Sequence, residues 1–132
     1  MAKVLIVDDE ESVRETLGTL IEAGGHTVWQ ASNGYEALNR YDTKLADLAI
    51  VDLIMPEIGG LETIAGLRKA NPNLEVIAIS GAPKMGRTRL LEWASRMGAS
   101  RTFGKPFAMA ELLGSVGQIL SRREAETAAA HS

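Results

Sequence analysis

A few widely separated side chains in this 132-residue sequence have the types to do chemistry together. Adjacent aspartates, Asp8-Asp9, close an apolar run near the start. Asp52 closes a second run, Leu48-Ala49-Ile50-Val51. Ser80 closes a third, and Lys105 follows the short run Arg101-Thr102-Phe103. Carboxylates gathered at one point repel one another, and each is costly to bury without an opposite charge. A hard divalent cation is the natural occupant, and oxygen donors suit magnesium. A carboxylate is also a nucleophile able to form an aspartyl-phosphate. A phosphoryl group arriving at Asp52 would need its charge neutralised. Magnesium held by Asp8 or Asp9, the Lys105 ammonium and the Ser80 hydroxyl could each meet one phosphoryl oxygen.

These residues meet only if the elements before them lie side by side. Val4-Leu5-Ile6-Val7 and Leu48-Ala49-Ile50-Val51 are short, continuous apolar runs, as expected of strands buried on both faces. Pro56 closes the second of them. Glu75–Ser80 reads as another strand. His26–Ala31 is shorter and more polar, which suits a sheet edge, and Arg101–Phe103 completes the set.

Helical spacing separates the strands. Val13, Leu17, Leu20 and Ile21 recur on one face, with Ser12 and Glu15 in a capping-box pattern and Gly24-Gly25 as the stop. Asn33 and Glu36 form a second capping-type pair. Gly59-Gly60 opens a helix that Asn71-Pro72 stops. A glycine-punctuated loop, Gly81 to Gly86, precedes a helix with Leu90, Leu91, Ala94 and Met97. The last helix uses Leu112, Leu113, Val116, Ile119 and Leu120. Five strands alternating with five helices predict a parallel sheet covered on both faces. The order 2-1-3-4-5 follows, a flavodoxin-like α/β wind, with ligands outside the carboxyl ends of the strands. Residues 1–120 form the expected domain. Residues 121–132 form a tail, frayed or extending the last helix.

Composition bounds the rest. Hydrophobic content of 45% and charged content of 23% are ordinary for a globular domain. A net charge of −3 argues against a nucleic-acid partner. Without cysteine there is neither a disulfide framework nor a thiolate metal site, which fits the cytoplasm. No apolar run approaches the roughly 20 residues of a membrane span. Trp29 and Trp93 read as packing residues, and His26 and His131 are isolated, with no metal role.

Taken in order, Val7-Asp8-Asp9-Glu10, Val51-Asp52-Leu53-Ile54-Met55-Pro56, Ser80-Gly81-Ala82 and Lys105-Pro106-Phe107 resemble the receiver domain of bacterial two-component response regulators. The resemblance covers about residues 3–120. It implies that Asp52 accepts a phosphoryl group from a histidine kinase and that the modified domain changes its protein partner. The alternative is a shuttle that exchanges the group with a histidine phosphotransfer protein in a phosphorelay. The resemblance further implies magnesium on Asp8, Asp9, Asp52 and the backbone carbonyl of Ile54. It gives Ser80 the switch hydroxyl and Lys105 the phosphoryl-binding ammonium. It implies a binding module rather than an enzyme, and, with no output domain read after the motifs, the expectation is a stand-alone receiver.

Three features depart from the family. Thr102 stands where Tyr or Phe is usual, so the switch lacks its aromatic ring. The Ser80–Lys105 segment is longer than usual, with the excess most easily placed in 82–87. Gly59 replaces an aspartate common in a loop. Rival readings fare worse. Phosphatases with an aspartyl-phosphate intermediate place their two aspartates one residue apart, whereas Asp8 and Asp9 are adjacent. A flavin carrier wants a hydroxyl- and glycine-rich phosphate loop where Asp8 to Glu11 would repel phosphate. A degenerate scaffold would lack an acidic or lysine position, and none is missing.

Overall fold

The computed structural model describes residues 2–55, 59–81 and 84–130. The expectations at Pro56, Ala82 and His131 lie outside the described residues. The strands are β1 (Lys3–Val7), β2 (Thr27–Ala31), β3 (Leu48–Asp52), β4 (Glu75–Ser80) and β5 (Arg101–Gly104). The helices are α1 (Glu11–Ala23), α2 (Gly34–Arg40), α3 (Gly60–Ala70), α4 (Lys84–Arg96) and α5 (Met109–Ala130). The sheet is parallel throughout, in the order β2-β1-β3-β4-β5. Among the described residues no helix is long and apolar enough to cross a membrane.

The period-2 alternation of side chains divides the core into two layers. Leu5, Val7, Ala49, Val51, Val76 and Ala78 face α2, α3 and α4, packing on Ala37, Ile64, Leu67 and Ala94. Val4, Ile6, Leu48, Ile50, Ile77 and Ile79 face α1 and α5, packing on Leu17, Ile21, Leu112, Val116 and Ile119. Each fully buried aliphatic side chain contributes about 1.5–3 kcal/mol, so the central strands anchor the fold. β2, with the more polar sequence, lies at an edge as its composition predicts.

Several local expectations are met and others corrected. Asn33 caps α2, its side chain accepting from Glu36 N at 2.8 Å. The capping box at Ser12 and Glu15 does not form. The N-cap of α1 is Glu10, so Ser12 lies inside the helix. The reason is Asp8, whose Oδ1 accepts from Glu10 N at 2.9 Å and starts the turn earlier. The expected loop to Gly86 is also shorter, because α4 already runs from Lys84. A glycine inside a helix costs only about 1 kcal/mol. Burial of Ala94 and the packing of Leu90 and Leu91 on the core offset that. Trp29 packs as expected, stacked on Tyr41 at 5.2 Å. Trp93 does not, since it is 54% exposed on α4.

The residues after Leu120 continue α5 to Ala130. Arg122 pairs with Glu75 at 3.2 Å and Arg123 with Asp47 at 3.5 Å. Arg123 also donates to the Asn73 carbonyl at 2.5 Å, which ties this stretch to the base of the sheet.

Candidate functional site at the carboxyl edge of the sheet

Strand register assembles the site. Val7 pairs with Val51, so Asp8 and Asp52, one residue further along each chain, emerge side by side. Asp52 pairs with Ile79, so Ser80 ends β4 beside it. Ser80 pairs with Gly104, and Lys105 N donates to the Ser80 carbonyl at 2.8 Å. Three strand ends therefore deliver Asp52, Ser80 and Lys105 to one edge, and β1 delivers Asp8-Asp9. The Lys105–Pro106 peptide is cis.

Backbone N–H groups hold the two buried acids, Asp8 and Asp52. Asp52 Oδ1 accepts from Ile54 N at 3.0 Å, and Leu53 N stays paired to the Ile79 carbonyl at 2.7 Å. The Asp8 carbonyl accepts from the Arg14 guanidinium at 2.7 Å. Lys105 reaches across these acids. Its Nζ lies 3.3 Å from each of Asp8 Oδ2, Glu10 Oε1 and Asp52 Oδ2.

Burial sets the electrostatics. Asp8 and Asp52 are only 2% and 4% exposed, and Ser80 is fully buried, while Asp9 is open to solvent. Loss of water pushes the Asp52 carboxyl up to about 6, and the Asp8 charge adds to the effect. The Ile54 N–H and the Lys105 ammonium oppose it. Burial likewise raises Asp8 above the ordinary carboxylate range, against the Glu10 N–H and Lys105. For Lys105, burial favours the neutral amine, but the charges of Asp52 and Asp8 and the hydrogen bond to Glu10 prevail and raise it. The ammonium is thus held charged.

The donor set suits a hard cation. Asp8, Asp9 and Asp52 each offer one oxygen, and the three lie within 4.8 Å of one another. Such an all-oxygen group suits a hard divalent cation. The other expected positions are placed as follows. Ile54 follows Asp52 by two residues with its side chain exposed. Thr102 sits half-buried in β5 opposite Ala78, two residues short of the partner of Ser80.

Two residues of the site carry no role in the sequence reading. Glu10 is one, identified only by its contact with Lys105. Its signal was the acidic run after β1, which did not separate one carboxylate from the next. Gly60 is the other. A Cβ there would lie 2.3 Å from Leu53 Cα and 2.4 Å from the Asp52 carbonyl oxygen. Gly60 N also donates to the Leu53 carbonyl at 3.1 Å. The start of α3 therefore presses directly on the backbone that carries Asp52, and only glycine fits.

Comparison with known proteins defines the class. The response regulator receiver domain family matches residues 4–117, and the chain belongs to that family, the receiver module of two-component signalling. The response regulator MprA of Mycobacterium bovis is 32% identical over 128 residues, covering 96% of this chain and 54% of MprA. The chain thus spans about half the length of that relative. A CheY-like receiver domain protein from Methanospirillum hungatei shares the fold, with a TM-score of 0.85 at 24% identity over 96% of this chain and 98% of its own. A Burkholderia pseudomallei response regulator was crystallised with a phosphorylated aspartic acid, a calcium ion and citrate. It aligns with a TM-score of 0.78 at 27% identity over 97% of this chain and 74% of its own.

Proposed function

We propose that Asp52 accepts a phosphoryl group from a histidine kinase in a magnesium-dependent reaction, and that the phosphorylated chain changes its downstream protein partner. The carrying observation is the setting of Asp52. It is a buried carboxylate at the end of a central strand, with two further aspartates within 4.8 Å and an ammonium at 3.3 Å. The Burkholderia protein, crystallised with a phosphorylated aspartic acid and a calcium ion, supports the same assignment here.

The chemistry follows from the charges. At neutral pH a carboxyl with a pKa of about 6 is mainly ionised, as a nucleophile must be. An Asp52 oxygen lone pair forms the new O–P bond. The P–N bond of the phosphohistidine breaks, its electron pair returns to the imidazole nitrogen, and solvent supplies the proton. Lys105, already against Asp52 Oδ2, meets the phosphoryl charge as it arrives. Asp8, Asp9, Asp52 and the Ile54 carbonyl would hold magnesium, which when bound supplies positive charge against the phosphoryl oxygens. Ser80, at the end of the next strand, would donate its hydroxyl to the phosphoryl group. This reading implies a cytoplasmic protein served by a kinase or a histidine phosphotransfer protein.

The test is intact-mass spectrometry after treatment with a small acyl-phosphate donor. The wild type gains one phosphoryl group with magnesium and none with chelator, and Asp52→Asn gains none. Equal labelling of the Asn variant would sink the assignment.

A further inference from the structure

Glu10 is the N-cap of α1, with φ −88 and ψ 111, yet its side chain makes no capping hydrogen bond. Ser, Thr, Asp or Asn at that position turns back to the free N–H groups of the first turn, and the longer glutamate is not a favoured cap. Glu10 instead extends to Lys105, 95 residues away in sequence. Its side chain is 58% exposed, so burial does not force it there.

An ammonium has three N–H donors. Lys105 meets three carboxylates, all at 3.3 Å. Asp8 and Asp52 belong to the oxygen cluster with Asp9, whereas Glu10 stands outside it. Lys105 and a divalent cation are therefore rival counter-charges for the same two buried acids. Anything that satisfies the ammonium elsewhere weakens its hold on them.

We infer that Glu10 is a positioning residue for Lys105: it gives the ammonium an acceptor outside the metal cluster, so that a divalent cation can take Asp8 and Asp52 while Lys105 stays paired and close to Asp52. The inference rests on the proposed magnesium chemistry of that cluster. A plainer role for Glu10 is long-range attraction of the cation by its negative charge. That role does not pass through Lys105, which separates the two.

A double-mutant cycle distinguishes them. Magnesium affinity is measured by titration calorimetry, without any phosphodonor, for wild type, Glu10→Gln, Lys105→Met and the double variant. Thermal melts confirm folding, and Lys105→Gln serves as the background if Lys105→Met does not fold. Glu10→Gln is expected to lower affinity about threefold with Lys105 present, the scale of one partly exposed ion pair. Without the lysine the loss shrinks by about twofold or more. Equal losses in both backgrounds, or no loss in either, would overturn the inference and leave the metal site standing. Absence of magnesium binding by the wild type would overturn both.

Discussion

The proposed role of Asp52 asks it to be buried and ionised at once, and its surroundings set the cost and the means. Water is excluded, so its pKa rises from 3.8 to about 6, while Lys105 and the Ile54 N–H keep it from rising further. The sign of the resulting pH dependence is definite. Between those two values the folded chain binds more protons than the unfolded chain, so stability falls as pH rises through that window. Asp8, also raised by burial, acts in the same direction. In chelator, urea unfolding should therefore show the protein losing stability from about pH 4 to about pH 6, with little further change to pH 8. Asp52→Asn should flatten that slope and stabilise the metal-free protein at pH 7 by about 1–3 kcal/mol. A metal-free wild type that gains stability across the window would contradict this account. At this scale the gathering of Asp8, Asp9, Asp52 and Lys105 at one point was legible, because aspartates after buried runs have few structural excuses. Glu10 was not legible, since its meaning depends on a contact with Lys105 that no local pattern encodes.

Among the elements, the joint between β3 and α3 carries the sharpest constraint. Gly60→Ala places a methyl group against the Asp52–Leu53 backbone, where a glycine-sized gap is all there is. The variant should lose about 2–4 kcal/mol, as buried overpacking and backbone displacement do, and accept phosphoryl groups more slowly. In α5, by contrast, a Cβ at Gly114 or Gly117 meets nothing within 4 Å. Alanine at either position should stabilise by about 1 kcal/mol, read as a rise in the urea midpoint. The proposed switch belongs to this scale too. Thr102 has no ring to turn inward, and a β-branched side chain has few rotamers. Ser80 lies at the end of β4, from which the chain runs to α4. The signal should therefore leave Ser80 along the backbone. NMR shifts over Arg89 to Arg96, induced by an acyl-phosphate mimic, should vanish in Ser80→Ala and persist in Thr102→Ala. Equal loss in both would refute backbone transmission. Element types were legible from apolar runs and helical spacing. Two boundaries were not. Asp8 displaced the cap of α1, and α4 absorbed a glycine that reads locally as a loop.

Over the whole molecule, a parallel sheet with its switch between β1 and β3 gathers the acids, and this topology was legible from the alternation of elements. The role of the last stretch was less so, because its alanines and charges show helix propensity but not what holds it. Arg122 and Arg123 tie it to Glu75, Asp47 and Asn73 at the opposite end of the sheet from the acids. We propose that residues 1–120 are sufficient for phosphoryl acceptance. Deleting 121–132 should cost about 1–2 kcal/mol, the sum of a few partly exposed contacts, and leave labelling unchanged. Loss of labelling in a folded truncation would extend the functional unit to the full helix.

The central claim is that Asp52 itself forms the acyl-phosphate. Borohydride reduces an acyl-phosphate to an alcohol and so turns a phosphorylated aspartate into homoserine, which peptide mass spectrometry locates. After treatment with an acyl-phosphate donor and magnesium, homoserine should appear at position 52 and should not appear in chelator. Homoserine at position 8 or 9 instead, or at none of the three, would contradict the account.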